Sequence, residues 1–178
     1  EFYHYDARNR RTTIIDRLGG ITQFAYDVVG NLTQISDADN ESRGALVHVE
    51  GCTQYAYDPR NLLVAEAFPV GQTGRTLRAY GYDAGRSLTT RNVGTLSGVF
   101  SATAAFATTP EATTYAYDNA NRLTTRGYPV DGKNDTFFYD ATGRLTKAVS
   151  ARYASTVQRI YDAGLLDNES LKLANVQL

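Results

Sequence analysis

The chain has 178 residues, about one domain's worth, with 42% apolar and 21% charged residues and a formal net charge of −1. That balance excludes a disordered chain, and the lack of any Lys/Arg block or basic stripe argues against a nucleic-acid footprint. One cysteine, Cys52, rules out an intrachain disulfide framework, and Met and Trp are absent while Tyr occurs 13 times.

The tyrosines organise the chain. Seven of them precede Asp directly: Tyr5-Asp6, Tyr26-Asp27, Tyr57-Asp58, Tyr82-Asp83, Tyr117-Asp118, Tyr139-Asp140 and Tyr161-Asp162, spaced by 21, 31, 25, 35, 22 and 22 residues. A second aromatic stands two residues earlier in six copies: Tyr3, Phe24, Tyr55, Tyr80, Tyr115 and Phe137. Aromatics at i and i+2 share one face of a strand, so each pair predicts a strand that ends at the Asp.

Asp opens a turn because its carboxylate accepts backbone N–H groups two residues on. Gly or Asn follows three residues after it, at Asn9, Gly30, Asn61, Asn121 and Gly143, where a left-handed backbone suits those residues. Leu32, Leu63, Leu88, Leu123 and Leu145 then begin a return strand on the aromatic face, often followed by Thr. This is the chemistry of a type I turn closed by a G1 bulge.

In chain order, the first copy has Arg11 in place of Leu. The fourth sets its Gly one place early, at Gly85. The seventh, Tyr161 to Leu166, is shortened. Two insertions separate copies, at about 41–53 and 92–114. The second is charge-free from Asn92 to Pro110 and rich in Gly, Ser and Thr, so it reads as an extra hairpin or a cover on the sheet rather than a membrane span. Residues 1–162 hold the seven repeats and 163–178 a degenerate repeat or tail, where Leu171 and Leu173 alternate like a strand and Ser170 suits a helix cap. The chain opens inside a motif, which reads as a cut through something longer or a processed product.

The expected fold is therefore all-β: tandem antiparallel hairpins in one long sheet that must twist, coil or close. No hairpin is stable alone, so each unit leans on its neighbours, through the exposed sheet edges as well.

Other chemistry is weak. One Asp per turn does not bring two carboxylates to one substrate. Asp37-Ala38-Asp39-Asn40-Glu41 lacks the Gly of a calcium loop and reads as a turn. Cys52 has only His48 nearby as a base, and His4 sits between Tyr3 and Tyr5, facing solvent. Asn31, Asn40, Asn134 and Asn168 lie in glycosylation sequons. No catalytic residue, metal ligand or cofactor site is assigned, and no phosphate or dinucleotide motif occurs. A membrane barrel fails because return strands such as Arg122 to Arg126 place charge and Thr where lipid needs apolar residues.

The unit from Tyr3 to about Leu166 resembles the YD repeat of the Rhs proteins: bacterial polymorphic toxins, the B and C components of insecticidal toxin complexes, wall-associated proteins and teneurins. The resemblance implies a secreted or cell-surface segment of a hollow shell, one that encloses or presents a toxin domain not present in this chain. The Asp-Pro- and Gly-rich core that closes such shells, with its aspartate pair for self-cleavage, is absent from these residues. A glycan-binding or adhesion module is the main rival, a β-solenoid polysaccharide enzyme a weaker one. A wall needs its YD tyrosines packed between neighbours; a glycan platform needs several exposed in a row.

Overall fold

A computed structural model of the chain describes residues 1–36, 52–70, 74–162 and 165–173. The strands are β1 (Phe2–Tyr5), β2 (Arg11–Ile15), β3 (Ile21–Tyr26), β4 (Leu32–Ser36), β5 (Cys52–Tyr57), β6 (Leu63–Val70), β7 (Gly74–Tyr82), β8 (Leu88–Ser97), β9 (Ala105–Phe106), β10 (Glu111–Tyr117), β11 (Leu123–Tyr128), β12 (Lys133–Tyr139), β13 (Leu145–Ser150), β14 (Ser155–Asp162) and β15 (Leu165–Leu173). No helix occurs among the described residues. The strands pair in chain order in a single all-β sheet, with β9 set aside on β8.

The chain divides into two compact units. One comprises Glu1–Tyr80 and Asn92–Pro110, the other Gly81–Arg91 and Glu111–Leu178. The first holds the best-buried apolar side chains: Cys52, Ala65, Ala67 and Leu77. Leu77 lies opposite Ala67 across β6 and β7, and Ala65 opposite Ala79. Arg75 ties this patch together, donating to the carbonyls of Cys52 (2.9 Å) and Ala67 (3.2 Å) and to Gln54 Oε1 (2.8 Å). Its guanidinium also stands 5.9 Å from the ring of Phe100, in the insertion. Burial pushes the Cys52 thiol up, so it is held as a thiol and not poised as a nucleophile. His48 lies outside the described residues.

The insertion after Asn92 builds its own hairpin. Leu96 pairs with Phe106 and Ser97 with Ala105, and Ala107 N–H donates to the Thr95 carbonyl at 2.8 Å. The first insertion and the Asp37–Glu41 turn fall mostly or wholly outside the described residues. After Ala163 the chain is a strand, β15, and not a helix capped by Ser170. Antiparallel pairing with β14 from Leu165 to Leu173 supplies the backbone partners that a one-turn helix would lack.

The first six YD turns follow one plan. Gly30 N–H donates to the Asp27 carbonyl at 3.2 Å, and Asp27 N–H donates to the Asn31 carbonyl at 2.9 Å. The same pair of bonds recurs at Asp6, Asp58, Asp83, Asp118 and Asp140. The fourth residue of each turn takes the left-handed conformation: φ is 58° at Asn9, 107° at Gly30, 61° at Asn61, 59° at Asn121 and 87° at Gly143. The fourth copy corrects the sequence reading. Its left-handed residue is Arg86, at φ 70°, and not Gly85. The turn's hydrogen bonds fix which position turns, and the Gly one place earlier does not move it.

The turn between β2 and β3 follows the same plan without a tyrosine. Asp16 Oδ1 accepts from Leu18 N–H (2.7 Å) and Gly20 N–H (2.8 Å), and Gly19 sits at φ 87° with nothing within 4 Å of where a Cβ would stand. Gly19 therefore tests backbone cost free of packing. Gly19→Ala should destabilise the chain by about 1 kcal/mol, because an L side chain is strained at that φ. Gly19→Asn should cost clearly less, as the Asn residues of the other turns imply. Urea unfolding of the three chains measures both, and equal costs would remove φ as the reason.

Candidate functional site

The turn is the unit from which the functional surface is built, beginning with the carboxylate. Asp27 Oδ1 accepts from the N–H groups of Val29 (3.0 Å), Gly30 (2.7 Å) and Asn31 (2.8 Å). Asp118 Oδ1 accepts from Ala120 and Arg122, and Asp140 Oδ1 from Thr142 and Arg144. These bonds favour the charged form, so the carboxyls of Asp6, Asp27, Asp58, Asp118 and Asp140 are held below the ordinary carboxylate range. At Asp6 the Arg10 N–H is the main cause, at Asp58 the Leu62 N–H, at Asp118 the Arg122 side chain and at Asp140 the Thr142 hydroxyl. At Asp27 burial works the other way and is outweighed by the Asn31 side chain and the turn amides.

The tyrosine joins one repeat to the one before it. Tyr117 Oη–H donates to the Leu88 carbonyl (2.9 Å), Tyr139 to Leu123 (2.8 Å) and Tyr161 to Leu145 (3.0 Å). Tyr26 does the same to Arg11 (2.9 Å), which stands where the first copy lacks its Leu. Within its own hairpin each tyrosine lies opposite the motif Leu: Tyr26 with Leu32, Tyr57 with Leu63, Tyr117 with Leu123, Tyr139 with Leu145. The seventh pairs Tyr161 with Leu166, one residue early. A bulge precedes each of these pairs. In the second, fifth and sixth copies the Thr that follows the Leu occupies it, with Thr124 Oγ1 donating to the Ala116 carbonyl and Thr146 Oγ1 to the Phe138 carbonyl, both at 3.1 Å; in the third copy Val64 stands there. That bond accounts for the recurrent Leu-Thr.

A further position, one residue before the Leu, was not read from the sequence. Arg10, Arg122 and Arg144 each bind the Asp of their own turn through Nε, at 2.7, 2.7 and 2.8 Å. Each also lies over the tyrosine ring of the next repeat, 4.6 Å from Tyr26, 4.9 Å from Tyr139 and 4.6 Å from Tyr161. Arg10 and Arg122 reach the carbonyls of Asp27 and Asp140 as well. Where this position is short and polar the link changes. Asn31 donates to Asn61 Oδ1 (3.1 Å) and Ser87 to Asn121 Oδ1 (2.6 Å). Arg thus faces a Gly in the following turn, whose Cβ would stand 3.9 Å (Gly30) or 3.6 Å (Gly143) from it, whereas Asn or Ser faces an Asn. The periodic signal was in the sequence as Asn-Arg-Leu and Gly-Arg-Leu, but its partner lies a whole repeat away.

The repeat tyrosines are half-buried rather than enclosed, and Tyr5, on β1, is 51% exposed. Burial raises the Tyr57 and Tyr117 phenols. Tyr82, Asp83 and Leu88 stand in the fourth copy, where Asp83 Oδ1 accepts the Ser87 N–H at 2.8 Å. Asp162 closes β14; its side chain and the Ala163-Gly164 step lie outside the described residues. No group of three or more metal-ligating side chains occurs among the described residues, and no helix is long and apolar enough to cross a membrane.

Residues 3–42 match the family model described as RHS Repeat. The fold is similar to that of the solved TcdB2-TccC3-Cdc42 structure, with TM-score 0.69 and 16% identity over 99% of this chain and 9% of that one. The TcdB2-TccC3 structure gives TM-score 0.69 and 16% identity over 98% and 9%, and TcdB2-TccC3 without its hypervariable C-terminal region 0.51 and 20% over 95% and 10%. The likeness is one of fold, and the chain spans about a tenth of those chains. A comparison with curated proteins finds no match.

Two outcomes follow from the turn chemistry. Tyr139→Phe removes the donor to the Leu123 carbonyl and should lower stability by about 0.5–1.5 kcal/mol in urea unfolding, with the strand spectrum unchanged; an unchanged midpoint would mean the bond carries no stability. The carboxyls bear on pH. Their pKa values are lowered by folding, so their contribution is complete above the unfolded value of about 3.9 and is lost as pH falls through the folded values. Stability should stay flat on acidification to about pH 5 and fall below about pH 4. Asp140→Asn should make that fall shallower, read from unfolding midpoints across the range.

Proposed function

We propose that this chain, a run of Rhs-type YD repeats, is a structural wall segment of a larger secreted or cell-surface shell. In this reading it encloses or presents an effector domain carried elsewhere in the parent polypeptide. The observation that carries the reading is the repeat-to-repeat lock, tyrosine hydroxyl to preceding carbonyl and arginine to following ring, which can be extended by any further copy. A wall of this kind is a one-dimensional assembly in which each unit is held by its neighbours. The similarity to structures containing TcdB2 and TccC3 supports a wall of the same architecture. The repeated carboxylates also favour a scaffold over an enzyme, because those of Asp6, Asp27, Asp58, Asp83, Asp118 and Asp140 are occupied by the amides of their own turns.

The use of the tyrosine hydroxyls weighs against a platform of exposed tyrosines. Tyr26, Tyr117, Tyr139 and Tyr161 spend their donor on the backbone, and three of the four rings are covered by arginine on one side and the fourth, Tyr117, is half-buried. Partners are accordingly further repeats of the parent protein and the enclosed domain.

Limited proteolysis of the parent polypeptide tests this. With the wall intact, the enclosed domain should resist cleavage. The double variant Arg122→Ala with Tyr139→Phe, which loosens one repeat junction, should expose it at least tenfold faster. Equal cleavage of that domain with and without the variant, in chains that both fold, would end the wall reading.

A further inference from the structure

In the second unit four strands bring a polar and an apolar row of side chains together. Arg126 lies opposite Asp135, Asp135 opposite Ser150, and Ser150 opposite Ser155. Two residues along the strands, and so on the same face, Phe137 lies opposite Ala148 and Ala148 opposite Val157. The two rows line a pocket of about 170 Å³, with Tyr153 of the β13–β14 turn among its lining residues. Of these residues only Phe137 belongs to the repeat motif, and the wall reading gives the pocket no task.

One acceptor in the pocket is left over. Asp135 is only 3% exposed. Its Oδ2 takes three donors: Arg126 Nε at 3.0 Å, Arg126 Nη2 at 2.6 Å and the Tyr128 hydroxyl at 2.9 Å. Its Oδ1 has no hydrogen-bond partner. The Ser150 hydroxyl is near enough to favour the charged carboxylate, and its oxygen accepts the Tyr153 N–H at 3.3 Å. A buried carboxylate oxygen without a donor is costly, and a donor arriving in the pocket would relieve that cost.

A single orphan acceptor beside an apolar row calls for a ligand with a single donor and an apolar body. Charge narrows it further. Asp135 is matched by Arg126. Arg152, 4.6 Å from the Tyr128 ring, is matched by Asp131 at 3.3 Å and Glu111 at 3.9 Å. A cationic ligand would meet Arg126 beside the carboxylate it sought, and an anionic one would meet Asp135 itself. The ligand is therefore neutral. The volume lies below the roughly 300–1,000 Å³ of clefts that hold whole drug-sized ligands, so it suits one ring. Phe137 and the largely exposed Tyr153 offer that ring aromatic neighbours, whose faces and edges favour another aromatic.

We propose that this pocket binds a neutral aromatic ring carrying one hydrogen-bond donor, a phenol or an indole, either free or as a tyrosine or tryptophan side chain of a polypeptide. The donor goes to Asp135 Oδ1, from which the Ser150 hydroxyl gives way. The ring lies against Phe137, Ala148 and Val157, with Tyr153 over it. The chain has no Trp, so an indole seated here comes from another molecule. The site does not depend on the wall assignment.

The test is a titration of the intact chain, labelled with nitrogen-15, followed by two-dimensional NMR. The probes are para-cresol and indole as free rings, and N-acetyltyrosinamide and N-acetyltryptophanamide as side chains. Para-methylanisole and N-methylindole lack the donor, and benzoate and benzylamine carry charge. Para-cresol or indole should shift the Ser150, Ser155 and Val157 amides saturably, with a Kd of about 1 mM. The methylated counterpart should bind about tenfold more weakly, since a hydrogen bond to a charged group is lost. Amides that bind as tightly as the bare rings support the proposal with a polypeptide as the source; amides that are excluded support it with a free aromatic. Tyr153→Ala, at an exposed position, should weaken binding about threefold. Ala148→Leu, which fills the apolar row, should abolish it with the remaining signals in place. Asp135→Asn should erase the preference for para-cresol over para-methylanisole; should that variant not fold, the methylated probes and the other two variants carry the test. No saturable shift with either ring, equal binding of the methylated probes, tighter binding of benzoate or benzylamine, or binding unaltered by Ala148→Leu would overturn the proposal.

Discussion

Everything in this sheet rests on how a hairpin end is closed. A two-residue turn would hold its strands by backbone bonds alone, but here the loop is three residues long and its amides point inward with no strand partner. The Asp side chain takes those amides, up to three on one oxygen in the case of Asp27. Its second oxygen then faces outward and holds the arginine or asparagine two positions past the loop's middle. One carboxylate thus closes the turn and aims the residue that reaches the neighbouring turn. A neutral side chain of similar shape could do the first and would do the second poorly, because the arginine needs a charge to hold it.

The tyrosine makes the complementary link. An isolated hairpin is marginal in water, so the energy of the array must lie between hairpins. The described core is thin: the best-buried side chains of the first unit are small apart from Leu77, and the second unit buries Thr113 and Asp135 most deeply. What replaces a thick core is a set of small, repeated contacts, each a phenol on a carbonyl or a guanidinium on a ring. Such contacts are individually modest, and their sum grows with the number of junctions.

How much of this could be read from the residues divides along sequence distance. Turn type, the left-handed residue and the Tyr–Leu pair involve residues within six of each other, and the spacing of Tyr, Asp, Gly/Asn and Leu reveals them directly. The Arg10–Tyr26 and Ser87–Asn121 links span a whole repeat, and repeats of 21 to 35 residues hide them from any local pattern. Gly85 misled for a related reason: composition marks a residue that can turn left-handed, while the bonds between Asp83 and the residues after it choose Arg86. The Asp16 turn has no tyrosine, so the Tyr-Asp spacing does not mark it, although its Asp-x-x-Gly between isoleucines carries the same chemistry. The pocket around Asp135 had no sequence signal, since its residues meet only through the register of four strands.

The two link types point to a rule for the array. Arg10 and Arg122, before the Leu position, are followed one repeat on by Gly at the left-handed position; Asn31 and Ser87 there are followed by Asn, while the third copy, with Leu62, is followed by Arg86. The reason is steric and electrostatic together. A guanidinium lying over the next tyrosine passes within van der Waals reach of the following turn, where Gly leaves it room to meet the Asp carbonyl. A short polar side chain cannot reach the ring, and an Asn side chain across the gap gives it an acceptor instead. At these four junctions adjacent turns are matched as pairs, and exchanging an Arg–Gly turn with an Asn–Asn one would leave the wrong partner even though its own hairpin remained sound. The repeats look interchangeable in sequence, but at these four junctions each is fitted to the copy that follows it.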